Sequence, residues 1–264
     1  MKSDFEIIRW RFKEGITIYP IADVHFGALN HQEKEWLRFC DKVTKDDSAY
    51  LILNGDLINN NTRSSVGSPW DDTIRPREQK KRMVEFLEPI KGKILCLTSG
   101  NHERRSIKDA DDDPTYDIAC KLDIEEIYRQ NAAFVHIGMG SRQRSDGRKN
   151  DQRFGYNIVC THGAGGGIYT GATVNRNERW GNLIDGVDCV VVGHTHKGTV
   201  TRPSKLVFDP RTDMVQMREY VVISCVAWQS YGEYSLQKML LPSVTARPQM
   251  LYLNATERDI KVHW

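Results

Sequence analysis

Residues 94–103 read Ile94-Leu95-Cys96-Leu97-Thr98-Ser99-Gly100-Asn101-His102-Glu103, a short, mostly apolar run that turns within two residues into ligating and proton-carrying side chains. A run of that length ending in glycine predicts a buried strand. The residues just after it then sit together at the strand's carboxyl end. Four other stretches repeat this grammar. Ile16 to Ala22 leads into Asp23-Val24-His25, and Tyr50 to Leu53 into Gly55-Asp56. Tyr156 to Cys160 leads into Thr161-His162-Gly163, and Cys189 to Val192 into Gly193-His194-Thr195-His196.

Amphipathic segments lie between the first four runs. Trp36 to Val43 places Leu37, Cys40 and Val43 on one helical face, and Pro76 to Ile90 opens on proline with Met83, Val84, Phe86, Leu87 and Ile90 at helical spacing. Asp117 to Tyr128 repeats the pattern with Ile118, Cys120, Leu122, Ile124 and Ile127. This is the strand–helix–strand rhythm of an α/β protein. From Lys205 onward it gives way to strand-like stretches at Leu206 to Phe208, Glu219 to Trp228, Met250 to Asn254 and Ile260 to His263. They predict a second, largely antiparallel sheet packed on the first. The expected organisation is one domain over residues 1–264, with ligand motifs within 16–196 and a mainly β part at 200–264.

No apolar stretch has the length of a bilayer span, and Met1 to Glu6 lacks a signal-peptide profile, so the expectation is a soluble, cytoplasmic protein without a membrane partner. The six cysteines are scattered and several fall inside apolar runs, which predicts reduced core thiols rather than a disulfide framework. A net charge of +2 selects no partner class, and the oligomeric state is not legible.

In open α/β sheets the binding crevice lies beyond the carboxyl ends of the strands, so the five motifs are expected to converge. Their carboxylate, amide and imidazole groups suit manganese first, with iron, zinc or nickel as alternatives, rather than calcium. Two divalent ions about 3.5–4 Å apart need a shared carboxylate, and Asp56 is the expected bridge. Asp23, His25 and His196 complete one shell; Asn101, His162 and His194 complete the other. A neutral Asn101 leaves the centre net positive and receptive to phosphate. His102, next to Asn101, is then free as a general acid, with Glu103 orienting it. The expected nucleophile is a water held between the ions, attacking phosphorus in line.

The long polar connections at Asn59–Lys81, Arg104–Thr115, Gly138–Arg153 and Gly163–Gly171 should surround that site. They and their neighbours carry Arg63, Arg75, Arg77, Lys80, Lys81, Arg82, Arg104, Arg105, Arg142, Arg144, Arg148, Lys149 and Arg153, with Trp70, Tyr116, Phe154 and Tyr169 nearby. Such a rim suits a nucleic-acid backbone and stacked bases. The alternative is ordinary solvated charge, offset by Asp71, Asp72 and Asp109 to Asp113. Arg104, Arg142 and His31 are the candidate substrate contacts, a surface or capping role being the alternative for His31. Gly163 to Gly167 reads either as a backbone nest for a phosphate or as a turn that passes close to the metals.

Taken together, Asp23-x-His25, Gly55-Asp56, Gly100-Asn101-His102-Glu103, His162 and Gly193-His194-Thr195-His196 resemble the calcineurin-like metallophosphoesterase superfamily over residues 16–196. The resemblance implies an α/β/β/α four-layer sandwich of two packed mixed sheets, a dinuclear centre ligated as above, and hydrolysis of phosphate mono- or diesters. Protein phosphatases of the superfamily continue Gly-Asp with Asp-Arg-Gly, where this chain has Leu57-Ile58-Asn59-Asn60. The stand-alone DNA-repair-type exonucleases are more similar, through Asp23 to Gly27 and Gly55 to Leu57, although they carry Asp where Glu103 stands, and no capping domain like theirs fits after residue 200. Three readings follow: a phosphodiesterase on nucleic acid or nucleotides, a phosphomonoesterase or small-nucleotide hydrolase, and a non-catalytic scaffold.

Overall fold

In the computed structural model, which describes residues 3–63, 65, 67, 70, 72–143, 149–150 and 152–264, all five runs are strands with almost wholly buried side chains. The chain opens with β1 (Ile8–Phe12), β2 (Ile16–Ile21), α1 (Glu33–Lys45), β3 (Ala49–Asn54), α2 (Pro76–Leu87) and β4 (Ile94–Thr98). Next come α3 (Asn101–Ala110), α4 (Pro114–Lys121), β5 (Tyr128–Arg129), β6 (Ala132–Met139), β7 (Arg142–Gln143), β8 (Lys149–Asn150) and β9 (Phe154–Thr161). The last part holds α5 (Thr170–Leu183), β10 (Cys189–Val192), β11 (Thr199–Thr201), β12 (Ser204–Asp209), β13 (Met214–Glu219) and β14 (Val221–Ser224). α6 (Glu233–Gln237), β15 (Met250–Leu253) and β16 (Ile260–His263) close it.

Two six-stranded sheets form, in the orders β16-β15-β2-β3-β4-β5 and β1-β6-β9-β10-β14-β11. β2 to β5 are parallel, as are β9, β10 and β14, while β15, β16, β6 and β11 supply antiparallel pairs. The sheets meet through β3 on β9 and β4 on β6; α4 lies against β4, with α2 beside it, and α5 lies on β10, β11 and β14. The architecture is the expected α/β/β/α sandwich of mixed sheets. Its interior divides by strand alternation. Cys189 and Val191 of β10 enter the large core between the sheets, while Val190 and Val192 face a smaller cluster with Trp180 and Ile184 of α5.

Three expectations need correction. The C-terminal strands do not build the second sheet: β15 and β16 extend the first sheet beyond β2, β14 and β11 extend the second, and β12 and β13 pair only with each other. The second sheet includes β1 and β6, which escaped notice because β1 alternates with exposed charge and His136 and Gly138 interrupt β6. Three helices were also missed: α3, α5 and the short α6 in the part read as strands alone. α3 occupies most of an expected loop and buries only Glu103, and α5 buries Thr173, Asn177 and Gly181, so neither shows an apolar stripe. In α1 the buried face is Trp36, Phe39, Cys40 and Val43, whereas Leu37 is exposed. All six cysteines are free, five of them buried. Among the described residues no helix is long and apolar enough to cross a membrane.

One side chain joins the sheets under the ligand motifs. Asn54, fully buried at the end of β3, donates from Nδ2 to the carbonyls of Thr161 (2.7 Å) and Val191 (3.2 Å) and accepts from Thr98 Oγ1 at 2.7 Å. It thus ties together the ends of β3, β4, β9 and β10. Asn54→Ala should lower stability by about 2–4 kcal/mol, through lost bonds and unpaired buried carbonyls; urea unfolding of the two proteins measures it.

Candidate metal centre

The strand ends deliver their ligands through backbone that L-residues seldom adopt. Asp23, His25, Asp56, His194 and His196 all have positive φ, between 48° and 70°. Such strain persists where surrounding structure enforces it and clusters at functional sites. Close packing of backbone supplies the enforcement: a Cβ on Gly100 would stand 2.0 Å from Asp56 Oδ1, and one on Gly55 would stand 2.6 Å from Gly100 itself. The turns after β3 and β4 therefore lie back to back, bringing Asp56 against the start of α3.

The side chains converge as a result. Asp56 Oδ2 lies 3.2 Å from His162 Nε2, 3.7 Å from His25 Nε2 and 3.9 Å from His102 Nε2. Asp23 Oδ1 lies 3.2 Å from His196 Nε2 and 3.8 Å from His25 Nε2. Asn101 Oδ1 is 3.0 Å from His162 Nε2 and 2.6 Å from His194 Nδ1. The seven expected ligands thus meet, in three overlapping groups that share His25 or Asp56: Asp23, His25 and His196; His25, Asp56 and His102; and Asp56, His162 and His194.

Two divalent cations fit this donor set. His25 Nε2 and His196 Nε2 face each other at 3.0 Å, and two imidazole lone pairs at that distance need a proton or a cation between them. Neighbouring contacts fix which nitrogen points inward. His162 Nδ1 bonds the Asn54 carbonyl at 2.9 Å, leaving Nε2 for the centre. Such outer partners set the tautomer of metal-binding histidines. Without cations the charges balance among the residues: burial and the neighbouring His102 push His25 well below its ordinary value. Burial also opposes a charged His162, but the Asp56 carboxylate outweighs it and lifts the ring to about 9.

His102 joins the cluster through His25 and Asp56, packed edge-on to His25 with ring centroids 4.3 Å apart. Its Nδ1 donates to the Asn59 carbonyl at 2.6 Å, so Nε2 faces Asp56. Burial and the nearby Arg105 lower its pKa against the pull of Asp56. The orienting group is therefore Asn59, and the expectation for Glu103 needs correction. Fully buried, Glu103 accepts the backbone N–H groups of Asp56 (3.0 Å), Ile58 (3.1 Å) and Gly100 (3.0 Å), clamping the two turns together. Burial and the charge of Asp56 raise it to about 7.

The substrate contacts fare less well. Arg104 turns away, its Nη2 bonded to the carbonyls of Ser99 (3.1 Å) and Gln130 (3.3 Å). Arg105 instead approaches His102, and its Nη1 donates to Asn61 Oδ1 at 3.1 Å. His31 bonds the Val24 carbonyl at 2.8 Å and stacks edge-on against Phe26, outside the ligand cluster. Arg142 belongs to β7 by its backbone, while Arg144, Arg148 and Asp71 lie outside the described residues. The basic rim is partly neutralised: Lys80 pairs with Asp112 and Asp117, Lys81 with Glu85, and Arg82 with Glu33 and Glu85. Tyr116 and Phe154 pack on Tyr128 and Tyr156, whereas Trp70 and Tyr169 are 93% and 71% exposed. Sequence reading missed Asn54, Asn59 and Gln79. The polar run Asn59-Asn60-Asn61 was their visible signal: all three are buried, with Asn59 and Asn61 held by Asp72 and the Asn60 N–H by Gln79.

The calcineurin-like phosphoesterase family profile matches residues 16–198, more than half of the chain and all the converging side chains. The chain belongs to that family, and is thereby a phosphate-ester hydrolase of a class that uses paired divalent metals. Three solved structures align with it. A metallophosphoesterase from Sphaerobacter thermophilus is 15% identical, covering 94% of this chain and 87% of its own, with a TM-score of 0.41. A conserved uncharacterised protein described as a predicted phosphoesterase, from Streptococcus pneumoniae TIGR4, is 10% identical with coverages of 94% and 88% and a TM-score of 0.39. The calcineurin-like phosphoesterase YfkN from Bacillus subtilis is 10% identical with coverages of 95% and 91% and a TM-score of 0.36. No curated protein sequence matches the chain.

Replacing Glu103 tests the clamp. Glu103→Gln removes one acceptor and sets an NH2 group against backbone N–H donors, so manganese affinity should fall about 10–100-fold. Arg104→Ala should leave it within about two-fold, an outer contact of no ligand being lost. Calorimetric titration of the chelator-stripped proteins measures both.

Proposed function

We propose that the protein cleaves phosphodiester bonds in nucleic acid or nucleotides at a dinuclear metal centre. Asp23, His25 and His196 would hold one ion and Asn101, His162 and His194 the other, with Asp56 available to both. The observation that carries this reading is the meeting of these side chains at five strand ends, with His102 beside Asp56 and oriented by the Asn59 carbonyl. Ions held there supply Lewis-acid polarisation of the phosphoryl oxygens and lower the pKa of bound water. Manganese is the preferred ion, given mixed carboxylate, amide and imidazole donors.

The chain's own groups do the remaining work. When His102 is protonated, its Nδ1–H is held by Asn59 and its Nε2–H faces the centre, where it can pass to a leaving oxygen. Burial and Arg105 both favour release of that proton. The clamp at Glu103 holds Asp56 and the first turn of α3 in one frame. For substrate, Trp70 and Tyr169 offer exposed aromatic faces on connections that start at Asp56 and His162, suited to stacked bases. Arg63, Arg75, Arg77 and Arg153 are exposed and form no ion pair among the described residues, leaving them open to phosphates. A second reading, hydrolysis of phosphomonoesters or small nucleotides, draws on the internal pairing of Lys80, Lys81, Arg82 and Arg104.

Rates on bis-p-nitrophenyl phosphate, p-nitrophenyl phosphate and an oligonucleotide, with manganese restored after chelation, separate these readings. The expected result is a higher kcat/KM on the diester and oligonucleotide cleavage that falls steeply with salt. An oligonucleotide neither bound nor cleaved at low salt removes the nucleic-acid reading. His102→Ala should keep its metal yet lose about 10²–10⁴-fold in rate on an alkyl leaving group. The loss should shrink on a nitrophenyl ester; equal losses on both would show that His102 stabilises charge instead of donating a proton.

A further inference from the structure

The ribbon of β12 and β13 is mounted inside out. Its register pairs Leu206 with Met217 and Phe208 with Val215, so strand alternation puts these four side chains on one face. That face is exposed along its whole length, Leu206, Phe208, Val215 and Met217 being 76%, 78%, 53% and 67% exposed, while on the other face only Met214 and Gln216 toward the tip are exposed. The opposite face carries the ties to the rest of the protein. Lys205 donates to the carbonyl of Gly181 at 3.2 Å and pairs with Asp185 at 3.3 Å, and Arg218 lies 3.6 Å from Asp188. Antiparallel structure with one covered face ordinarily turns the apolar side inward and the polar side to water. Here polar anchors turn inward and the apolar row faces out, in a two-stranded ribbon that is marginal without packing on that row.

We propose that this apolar face pairs with the same face of a second copy of the chain, related by a two-fold axis. Size and charge both fit that occupant. Four side chains at these exposures present on the order of 500 Å² per copy, so two copies together reach about 1,000 Å², the total a specific interface has to clear, and flanking residues add to it. A row of large apolar residues has no charge of its own to exclude an identical row. Arg211 occupies the ribbon's tip and Glu219 its base; both are exposed and neither forms an ion pair among the described residues. When two ribbons cross face to face in antiparallel fashion, Arg211 of each copy comes to Glu219 of the other. Pairing of this kind is isologous and closes as a dimer, with no tendency to grow fibres.

Sedimentation velocity of the whole chain over about 1–100 µM, the affinity range expected of so small an interface, tests the pairing. The expected result is a dimer at the upper end that dissociates on dilution. The triple variant Leu206→Thr, Phe208→Thr and Met217→Thr keeps strand propensity while removing the apolar row. It should sediment as a monomer throughout, with melting and turnover of a small nitrophenyl diester unchanged, since the ribbon supplies no group to the metal centre. A second measurement needs no variant: in the unaltered protein, amide exchange in β12 and β13 should be slower at high concentration than at low. A wild-type chain that stays monomeric overturns the proposal. So does a dimer that survives the triple change, or concentration-dependent protection confined to other segments.

Discussion

The rest of the structure hangs on a carboxylate that cannot escape its company. Asp56 is 1% exposed, and the imidazoles of His25, His102 and His162 approach within 4 Å of it. Burial alone pushes such a group toward its neutral form, but the surrounding rings, His162 foremost, hold it well below the ordinary carboxylate range. A buried anion needs compensating positive charge. A pair of divalent cations provides more of that charge than the histidines can. The site is thus an anion with its counter-charges arranged around it by five separate strand ends.

Holding that arrangement requires backbone in unfavourable conformations, and the fold supplies the support from below. Of the five positive-φ positions, Asp23, His25, Asp56 and His194 are held by hydrogen bonds of their backbone N–H groups to neighbouring turns. Asp23 N–H donates to Gly55 O, His25 N–H to Asp56 O, and the His194 N–H lies against the Asp23 carboxylate at 2.9 Å. Asn54 and Glu103 extend this support from opposite sides, Asn54 by joining the two sheets and Glu103 by joining two turns. Neither side chain is presented for ligation. Both determine where the converging side chains stand.

The same logic divides the surroundings into fixed and available parts. Lys197, buried just after His196, donates to the carbonyls of Gly167 and Ile168, while Arg176 of α5 donates to those of Ala164, Gly165 and Gly166. The glycine-rich stretch is therefore tied by its carbonyls to two cations. Tyr169 and the arginines Arg63, Arg75, Arg77 and Arg153 are exposed. An electrostatic count from the sequence overstates the basic rim, because long side chains find partners on neighbouring helices that chain order does not reveal.

The sequence by itself determined the five buried strands, the helices α1, α2 and α4 between early strands, and the set of side chains that meet. The reason is local: burial on both faces demands uninterrupted apolar residues, and the abrupt change after each run marks a strand end wherever the strand goes. Tertiary structure alone decided which strands pair, sending β15 and β16 to the first sheet and β14 and β11 to the second, because backbone hydrogen bonds carry no residue identity. It also decided the roles of residues whose partners are distant. Glu103 looked like an aid to the adjacent His102 and proved to be a clamp on backbone; Arg104 turned away to bond the carbonyls of Ser99 and Gln130, and Arg105 lies beside His102. The helices α3 and α5 stayed hidden for a related reason: their buried faces are polar, held by contacts across the fold rather than by an apolar stripe written in the chain.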